Sequence, residues 1–134
     1  MGVPEGSEAL VHVLVVADDG DVRRGLGRLF KAAGASDVMY SGTREPCAGA
    51  VRRPDVVLID AWPHAAPRAT ELARTAAGAF AGVPVIVLAH HVTPEVETAI
   101  RGAGGRAVWP KDDASGLVGF ARHLAESRRH ARDD

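Results

Sequence analysis

Four charged residues follow short apolar runs in this sequence, and their types suit phosphoryl chemistry. The run Val56–Ile59 ends in Asp60, a second run ends before Asp18 and Asp19, and a third ends before Lys111. The carboxyl ends of parallel strands share one edge, which is where open α/β sheets bind ligands. Crowded carboxylates repel one another unless a hard cation such as Mg²⁺ joins them. With a cation bound, one carboxylate can attack phosphorus, and a lysine can neutralise charge on the transferred group.

Lys111 stands out against the composition of the chain. Of the 16 basic residues only two are lysines, Lys31 and Lys111, and the other 14 are arginines. A lysine is a compact point charge, whereas an arginine presents a planar fork of donors. This difference favours a role for Lys111 as a point charge beside an anion, although two lysines could also be placed by chance.

The elements that must position these residues alternate regularly along the chain. Apolar runs predict five short buried strands, and stretches with helical spacing of apolar residues separate them. Alternating strands and helices with short connections favour a parallel sheet with right-handed crossovers. The predicted fold is a flavodoxin-like (βα)5 doubly wound sandwich with strand order 2-1-3-4-5. The predicted strands are Val11–Ala17, Asp37–Tyr40, Val56–Asp60, Val83–Ala89 and Arg106–Trp109.

Capping residues locate the ends of five predicted helices. We expect Asp21 to cap the first helix and Gly34 to end it. The second would start at Ser41 or Thr43, the third near Pro67, and the fourth at Thr93 followed by Pro94. The last helix would begin near Ser115 and fray over Ser127–His130. In the second helix the residues expected to face inward are Cys47, Ala50 and Val51.

Composition narrows the class of protein. The 134 residues suffice for one domain, the formal net charge is −1, and no apolar run approaches the roughly 18 residues that span a bilayer. Cys47 is the single cysteine, which excludes an internal disulfide and a cysteine zinc site and suits a reducing cytoplasm. We therefore expect a cytoplasmic protein that contacts neither membrane nor nucleic acid. Residues 1–10 would be a disordered or extended leader, 11–127 the domain, and 128–134 a solvated tail with basic and acidic residues.

The order of these motifs resembles the receiver domain of two-component response regulators. The run from Arg53 to Asp60 is similar to the proline–aspartate–apolar–aspartate strand of that family, and Val83–Leu88 resembles its fourth strand. Lys111-Asp112 and the helix after it resemble the lysine turn and last helix of regulators with a helix-turn-helix output domain. The resemblance covers nearly the whole chain.

The resemblance implies a role for each site residue. Asp60 would be the phosphoacceptor, and Lys111 would contact the phosphoryl group. A Mg²⁺ ion would lie between Asp60, one or both of Asp18 and Asp19, and the backbone carbonyl of Trp62. The chain would not be an enzyme beyond self-catalysed phosphotransfer and dephosphorylation.

The sequence departs from the family pattern at four places. An ungapped match places Ala17 at the first acid of the family's acidic pair, which weakens the expected Mg²⁺ site. Pro63 follows Asp60 by three residues rather than the usual four, so the intervening loop is shorter. Ala89 replaces the hydroxyl residue that ends the fourth strand. Val108 occupies the aromatic switch position, with Trp109 displaced by one and therefore pointing to the opposite face.

The sequence therefore leaves two main functions open, with a flavodoxin-like enzyme as a distant third. The first is an atypical receiver in signal transduction and transcription regulation, phosphorylated on Asp60 by a histidine kinase. The second is a phosphorylation-independent module that binds a protein partner or a small ligand. In either case a homodimer would form through the fourth predicted helix, the fifth strand and the last helix.

Overall fold

The fold is a five-stranded parallel sheet with helices on both faces. A computed structural model describes residues 12–61 and 66–133, and its description of side chains omits residues 66 and 129–133. The strands are paired in the order β2-β1-β3-β4-β5, as predicted. The elements are β1 (His12–Val16), α1 (Gly20–Ala32), β2 (Asp37–Ser41), β3 (Val56–Asp60), α2 (Ala66–Ala79), β4 (Val85–Ala89), α3 (Pro94–Gly102), β5 (Ala107–Pro110) and α4 (Ala114–Asp133).

Strand alternation divides the core into two layers. Val13, Val15 and Leu58 face α1 and α4, where Phe30 and Leu117 pack against them. The intervening strand residues face α2 and α3 on the opposite side of the sheet. That second layer includes Leu14, Val16, Val57, Ile59, Leu72 and Ile100. Because β3 is buried on both faces, its four apolar residues are all fully enclosed, as the continuous apolar run predicted.

The predicted helix between β2 and β3 is wrong. Residues 42–55 form turns instead, with single-turn hydrogen bonds from Ala48 N–H to the Glu45 carbonyl and from Ala50 N–H to the Cys47 carbonyl. Ala50 does pack against the core, but Val51 is 77% exposed and does not face inward.

Close backbone contact with β2 explains this segment. The N–H of Gly49 donates to Oγ of Ser41 at 2.8 Å, and a Cβ on Gly49 would lie 1.8 Å from the Tyr40 carbonyl oxygen. Only glycine can approach the strand so closely. Gly42 and Pro46 also oppose helix formation in this stretch, because glycine is flexible and proline lacks an N–H.

Of three other predicted helix boundaries, one is wrong and two are confirmed. The first helix is capped by Asp19 rather than Asp21, since the Asp19 side chain accepts hydrogen bonds from the N–H groups of Asp21 and Val22. Gly34 follows that helix with a φ of 106°, as its predicted role at the end required. Thr93 caps α3, and Pro94 is its first residue.

The carboxyl-terminal boundary also differs from the prediction. Helix α4 does not fray at Ser127 but continues through Asp133. Arg128 is not solvated, because its side chain is 16% exposed and its Nη1 lies 3.8 Å from Oδ1 of Asp55. The predicted leader, residues 1–10, lies outside the described residues. In the part of the chain that the structure describes, no helix combines the length and apolar character needed to cross a bilayer.

Candidate functional site

Asp60 and Lys111 meet at the carboxyl edge of the sheet. Asp60 is the last residue of the central strand β3 and is 2% exposed. Lys111 directly follows β5, two strands away, and its backbone N–H donates to the Ala89 carbonyl at the end of β4. Its Nζ donates to Oδ1 of Asp60 at 2.9 Å. The structure thus joins the two residues that the sequence predicted to act together, and the lysine supplies a counter-charge to a nearly buried carboxylate.

Ala17 occupies the position beside Asp60 on the neighbouring strand. Val16 of β1 pairs with Ile59 of β3. The residues that follow them, Ala17 and Asp60, are therefore in register. Ala17 is fully buried, and its N–H continues the ladder to the Ser41 carbonyl at 2.9 Å. A methyl group therefore stands at this position, and no carboxylate can approach Asp60 from it.

The carboxylate of Asp18 is hydrogen-bonded to Thr43, in the segment that follows β2. Its Oδ1 accepts a hydrogen bond from the backbone N–H of Thr43 at 2.8 Å, and its Oδ2 accepts one from Thr43 Oγ1 at 2.7 Å. Thr43 is 2% exposed. The sequence identified Thr43 only as a helix start. The position of Thr43 after a strand suggested that its hydroxyl would cap a helix. In the structure the hydroxyl instead binds Asp18.

Asp19 is committed to the start of α1. Its Oδ1 accepts from Asp21 N–H at 2.7 Å and from Val22 N–H at 3.4 Å, and this pattern is that of an N-cap. A carboxylate in this position also interacts favourably with the positive end of the helix. The side chain of Asp19 is thereby held by its own helix.

The donor chemistry of this edge suits Mg²⁺, but the observed arrangement does not assemble a complete site. Carboxylates such as those of Asp18 and Asp60 are the ligands that Mg²⁺ takes from proteins. Among the described residues, however, no three acidic, histidine or cysteine side chains converge as metal ligands would. The remaining predicted ligand, the carbonyl of Trp62, lies outside the described residues. The carboxylate of Asp18 accepts one hydrogen bond from Thr43 on each oxygen, and each oxygen has a second lone pair with which it could bind a cation.

The two positions expected to transmit a switch are apolar. Ala89 ends β4 with a methyl group, which cannot hydrogen-bond to a phosphoryl group. Val108 is buried against the layer of α2 and α3, while Trp109 packs on the opposite face, as its displacement by one residue predicted. Trp109 stacks on Phe120 of α4 with ring centroids 4.8 Å apart, and its Nε1 donates to the Asp113 carbonyl. The tryptophan therefore ties β5 to α4.

An apolar groove of about 310 Å³ opens beside Lys111. It lies between α1, β4 and the start of α4, and Lys111 is one of its lining residues. Its lining includes Val22, Leu26, Leu29, Leu88 and Ala114.

Comparison with known proteins defines the fold class. No family model matches the sequence, and no curated protein matches it. Solved structures do match. A receiver domain of a signal transduction histidine kinase from Syntrophus aciditrophicus is 20% identical, with 87% of this chain and 90% of that one covered at a TM-score of 0.70.

Two further solved structures match the same fold. The Francisella response regulator 1452 receiver domain is 20% identical, with 87% of this chain and 97% of that one covered at a TM-score of 0.72. NtrX from Brucella abortus is 18% identical at a TM-score of 0.72; the match covers 91% of this chain but only 29% of NtrX. This chain has the fold of the receiver domains of two-component response regulators.

Proposed function

We propose that this chain is a signalling receiver and that Asp60 accepts a phosphoryl group from a phosphohistidine of a histidine kinase. The observation that supports this proposal best is the 2.9 Å contact between Lys111 Nζ and Asp60 Oδ1 at the carboxyl edge of the sheet. Structural cores do not need a buried carboxylate paired with a lysine, since apolar residues of similar volume pack as well or better. The pair therefore favours a role in chemistry.

The proposed reaction is a transfer between two residues. A carboxylate oxygen of Asp60 attacks the phosphorus of the phosphohistidine, a P–O bond forms, and the P–N bond breaks with its electron pair returning to the imidazole. The ammonium group of Lys111 would neutralise charge on the transferred group. Hydrolysis of the acyl phosphate then returns Asp60 to its carboxylate form, so the chain acts on itself and not on a separate substrate.

Mg²⁺ is the cation that we propose for this reaction. When bound, it would offset the charges of the phosphoryl group and the carboxylates. Asp60 and Asp18 are the side chains that would hold it, with the Trp62 carbonyl as the sequence predicts. Asp19, also predicted as a ligand, is the less suitable of the two neighbouring acids because it caps α1.

Two surfaces suit the partners that such a receiver needs. The apolar groove beside Lys111 would let a phosphohistidine-bearing domain of the kinase approach Asp60. The face formed by α3, β5 and α4 stays our prediction for a homodimer. On that face Trp109 and Phe120 are half-buried and stacked, and they offer a rigid apolar contact.

The proposal is tested with a small phosphodonor. Incubation of the chain with an acyl phosphate or phosphoramidate and Mg²⁺ should add one phosphoryl group, measured by intact-mass spectrometry. Asp60→Asn keeps the side-chain volume and should abolish the addition. Asp112→Asn, which removes an exposed acid next to Lys111, is the matched control and should leave it intact.

Two results would contradict the proposal. One is no added mass at a saturating donor concentration, and the other is an addition that persists in Asp60→Asn. The first result would instead favour the phosphorylation-independent module. Sedimentation with and without donor would separately test the homodimer.

A further inference from the structure

A polar cavity of about 720 Å³ opens at the carboxyl end of β2, and neither Asp60 nor Lys111 lines it. Arg23 of α1 contributes one wall, and the turns that replace the predicted second helix contribute another. Tyr40 and Ser41, the last two residues of β2, complete the lining. Pockets for small organic ligands commonly have volumes of roughly 300–1,000 Å³. This cavity therefore has room for such a molecule and not only for an inorganic ion.

The guanidinium of Arg23 is held in place beside the cavity. Its Nε donates to the Ala17 carbonyl at 2.7 Å, and the side chain is half-buried. A Cβ on Gly42 would lie 3.7 Å from Arg23 Nη2, so the guanidinium extends to the turn on the far side of the cavity. Among the described residues, no partner engages its two outer nitrogens. Because Nε already fixes the group, a ligand that binds the outer nitrogens has little side-chain freedom to remove.

Arg44 brings a second guanidinium to the same cavity. Its side chain is exposed and, within the part of the chain that the structure describes, forms no ion pair. The lining thus holds two arginines against one acid, Glu45. The neighbouring Asp18 accepts two hydrogen bonds from Thr43, which partly offset its charge. Solvated arginines are common on protein surfaces, but two that line one cavity match the oxygens of a phosphate group with their planar forks of donors.

The remaining polar groups of the lining suit the organic part of a ligand. The Tyr40 hydroxyl lies beside Gly27, one helical turn after Arg23 on the same face of α1. A tyrosine hydroxyl can donate or accept a hydrogen bond. The carboxylate of Glu45 can only accept, and acidic residues recognise the hydroxyl groups of ribose in this way. An inorganic anion would leave both groups unused.

We propose that this cavity binds a small phosphate monoester, with its phosphate on Arg23 and Arg44 and its hydroxyl groups toward Tyr40 and Glu45. Nucleotides and sugar phosphates are the two sources of this chemistry. The site requires neither Mg²⁺ nor phosphorylation of Asp60. It would give the chain a second input, which is separate from the one in the proposed function.

The first experiment titrates the full chain with four probes and follows its backbone amide signals by NMR. The probes are AMP, ribose 5-phosphate, adenosine and inorganic phosphate, in buffer with EDTA and without a phosphodonor. AMP or ribose 5-phosphate should shift the amide signals of Gly42, Arg44 and Gly49, whereas adenosine should not. Inorganic phosphate should bind at least about tenfold more weakly than the better ester, because it lacks the groups that contact Tyr40 and Glu45.

The two esters also distinguish the source of the ligand. Tighter binding of AMP than of ribose 5-phosphate would support the proposal and assign a nucleotide, because the base would then contribute. Equal or tighter binding of ribose 5-phosphate would support it and assign a sugar phosphate.

The second experiment repeats the titration of the better ester with three variants. Arg23→Met should weaken binding by at least about tenfold, because it removes charge-assisted hydrogen bonds from a fixed group. Arg44→Met should weaken it by roughly threefold, since exposed charges interact less strongly. Arg28→Met, on an exposed face of α1 outside the cavity, is the matched control and should bind like the unchanged protein. Arg23→Met also loses its bond to Ala17, so urea unfolding checks that it is folded, and the exposed Arg44 tests the site independently.

Several results would overturn the proposal. One is that neither ester shifts the signals of the cavity at millimolar concentrations, and another is that adenosine or inorganic phosphate binds as tightly as the esters. Equal affinity in Arg44→Met, Arg28→Met and the unchanged protein would also overturn it. Shifts confined to Lys111 and Ala114 would place the ligand at the other edge of α1 and have the same consequence. Since Mg²⁺ and phosphodonor are absent, these outcomes do not depend on whether Asp60 can be phosphorylated.

Discussion

The ammonium nitrogen of Lys111 lies 2.9 Å from Oδ1 of Asp60, and the two side chains are 18% and 2% exposed, respectively. The residues are 51 positions apart in sequence and come from different strands. A carboxylate so far removed from water requires a counter-charge, and Lys111 provides one within hydrogen-bonding distance.

Removing this counter-charge should destabilise the fold. Lys111→Met keeps the length of the side chain but leaves Asp60 without its positive partner. We expect the free energy of unfolding to fall by about 2 kcal/mol, less than for a fully buried pair because Lys111 is partly exposed. Urea denaturation followed by circular dichroism measures the change.

Two further variants control this experiment. Lys31→Met removes the other lysine of the chain, which is exposed on α1, and should change stability by less than about 0.5 kcal/mol. Combining Lys111→Met with Asp60→Asn should cost at least ~1 kcal/mol less than the sum of the two single changes. Strict additivity would show that the pair does not interact.

Two glycines of α1 should respond oppositely to alanine. A Cβ added at Gly25 would have no atom within 4 Å, so Gly25→Ala should stabilise the protein by about 0.5–1 kcal/mol. At Gly27 the Cβ would lie 2.0 Å from the Tyr40 hydroxyl oxygen, so Gly27→Ala should destabilise it by about 1–3 kcal/mol. Thermal and urea unfolding compare the two variants.

Removing the Tyr40 hydroxyl tests whether a clash with it causes the destabilisation expected for Gly27→Ala. In a Tyr40→Phe background the nearest ring carbon would be 3.3 Å from the added Cβ. The Gly27→Ala change should then cost clearly less than in the unchanged protein. An equal cost in both backgrounds would disprove the steric explanation.

The contact between Arg128 and Asp55 should anchor the end of α4. Asp55 Oδ1 lies 3.8 Å from Arg128 Nη1, and its Oδ2 accepts from the His12 backbone N–H at 2.8 Å. We expect Arg128→Met to lower the free energy of unfolding by about 1 kcal/mol and Asp55→Ala by about 2 kcal/mol, since the latter also leaves an N–H without its acceptor. Arg101→Met, on an exposed face of α3, should have little effect. If Arg101→Met and Arg128→Met lower the free energy of unfolding by the same amount, Arg128 does not anchor the end of α4.

Alkylation of Cys47 should require a higher pH in the folded protein than in the unfolded chain. Burial raises the pKa of the Cys47 thiol, so at a given pH a smaller fraction is the reactive thiolate than in the unfolded chain. Alkylation of the folded protein should therefore be slower, and its rate should increase at higher pH than in the urea-unfolded chain. Coincident profiles for the two states would contradict this prediction.

Local pattern was enough to predict most of the scaffold. Continuous apolar runs such as Val56–Ile59 specify strands buried on both faces, and caps such as Thr93-Pro94 specify helix starts. The second helix was wrong because Gly42, Pro46 and Gly49 oppose helix formation, and because Gly49 packs directly on β2. The turn residues could have signalled this; the strand contact could not be read locally.

The order of residues was sufficient to predict the parallel sheet and the proximity of Asp60 to Lys111, because strand order brings the carboxyl ends of β3 and β5 to one edge. The partner of Asp18 could not be predicted in this way and depends on the three-dimensional packing. Both Asp18 and Asp19 were candidate Mg²⁺ ligands from the sequence, yet Asp19 caps its own helix and Asp18 binds Thr43, 25 residues away. A hydrogen bond across that separation depends on where packing places β2 and the turns of residues 42–55, which the local order of residues does not specify.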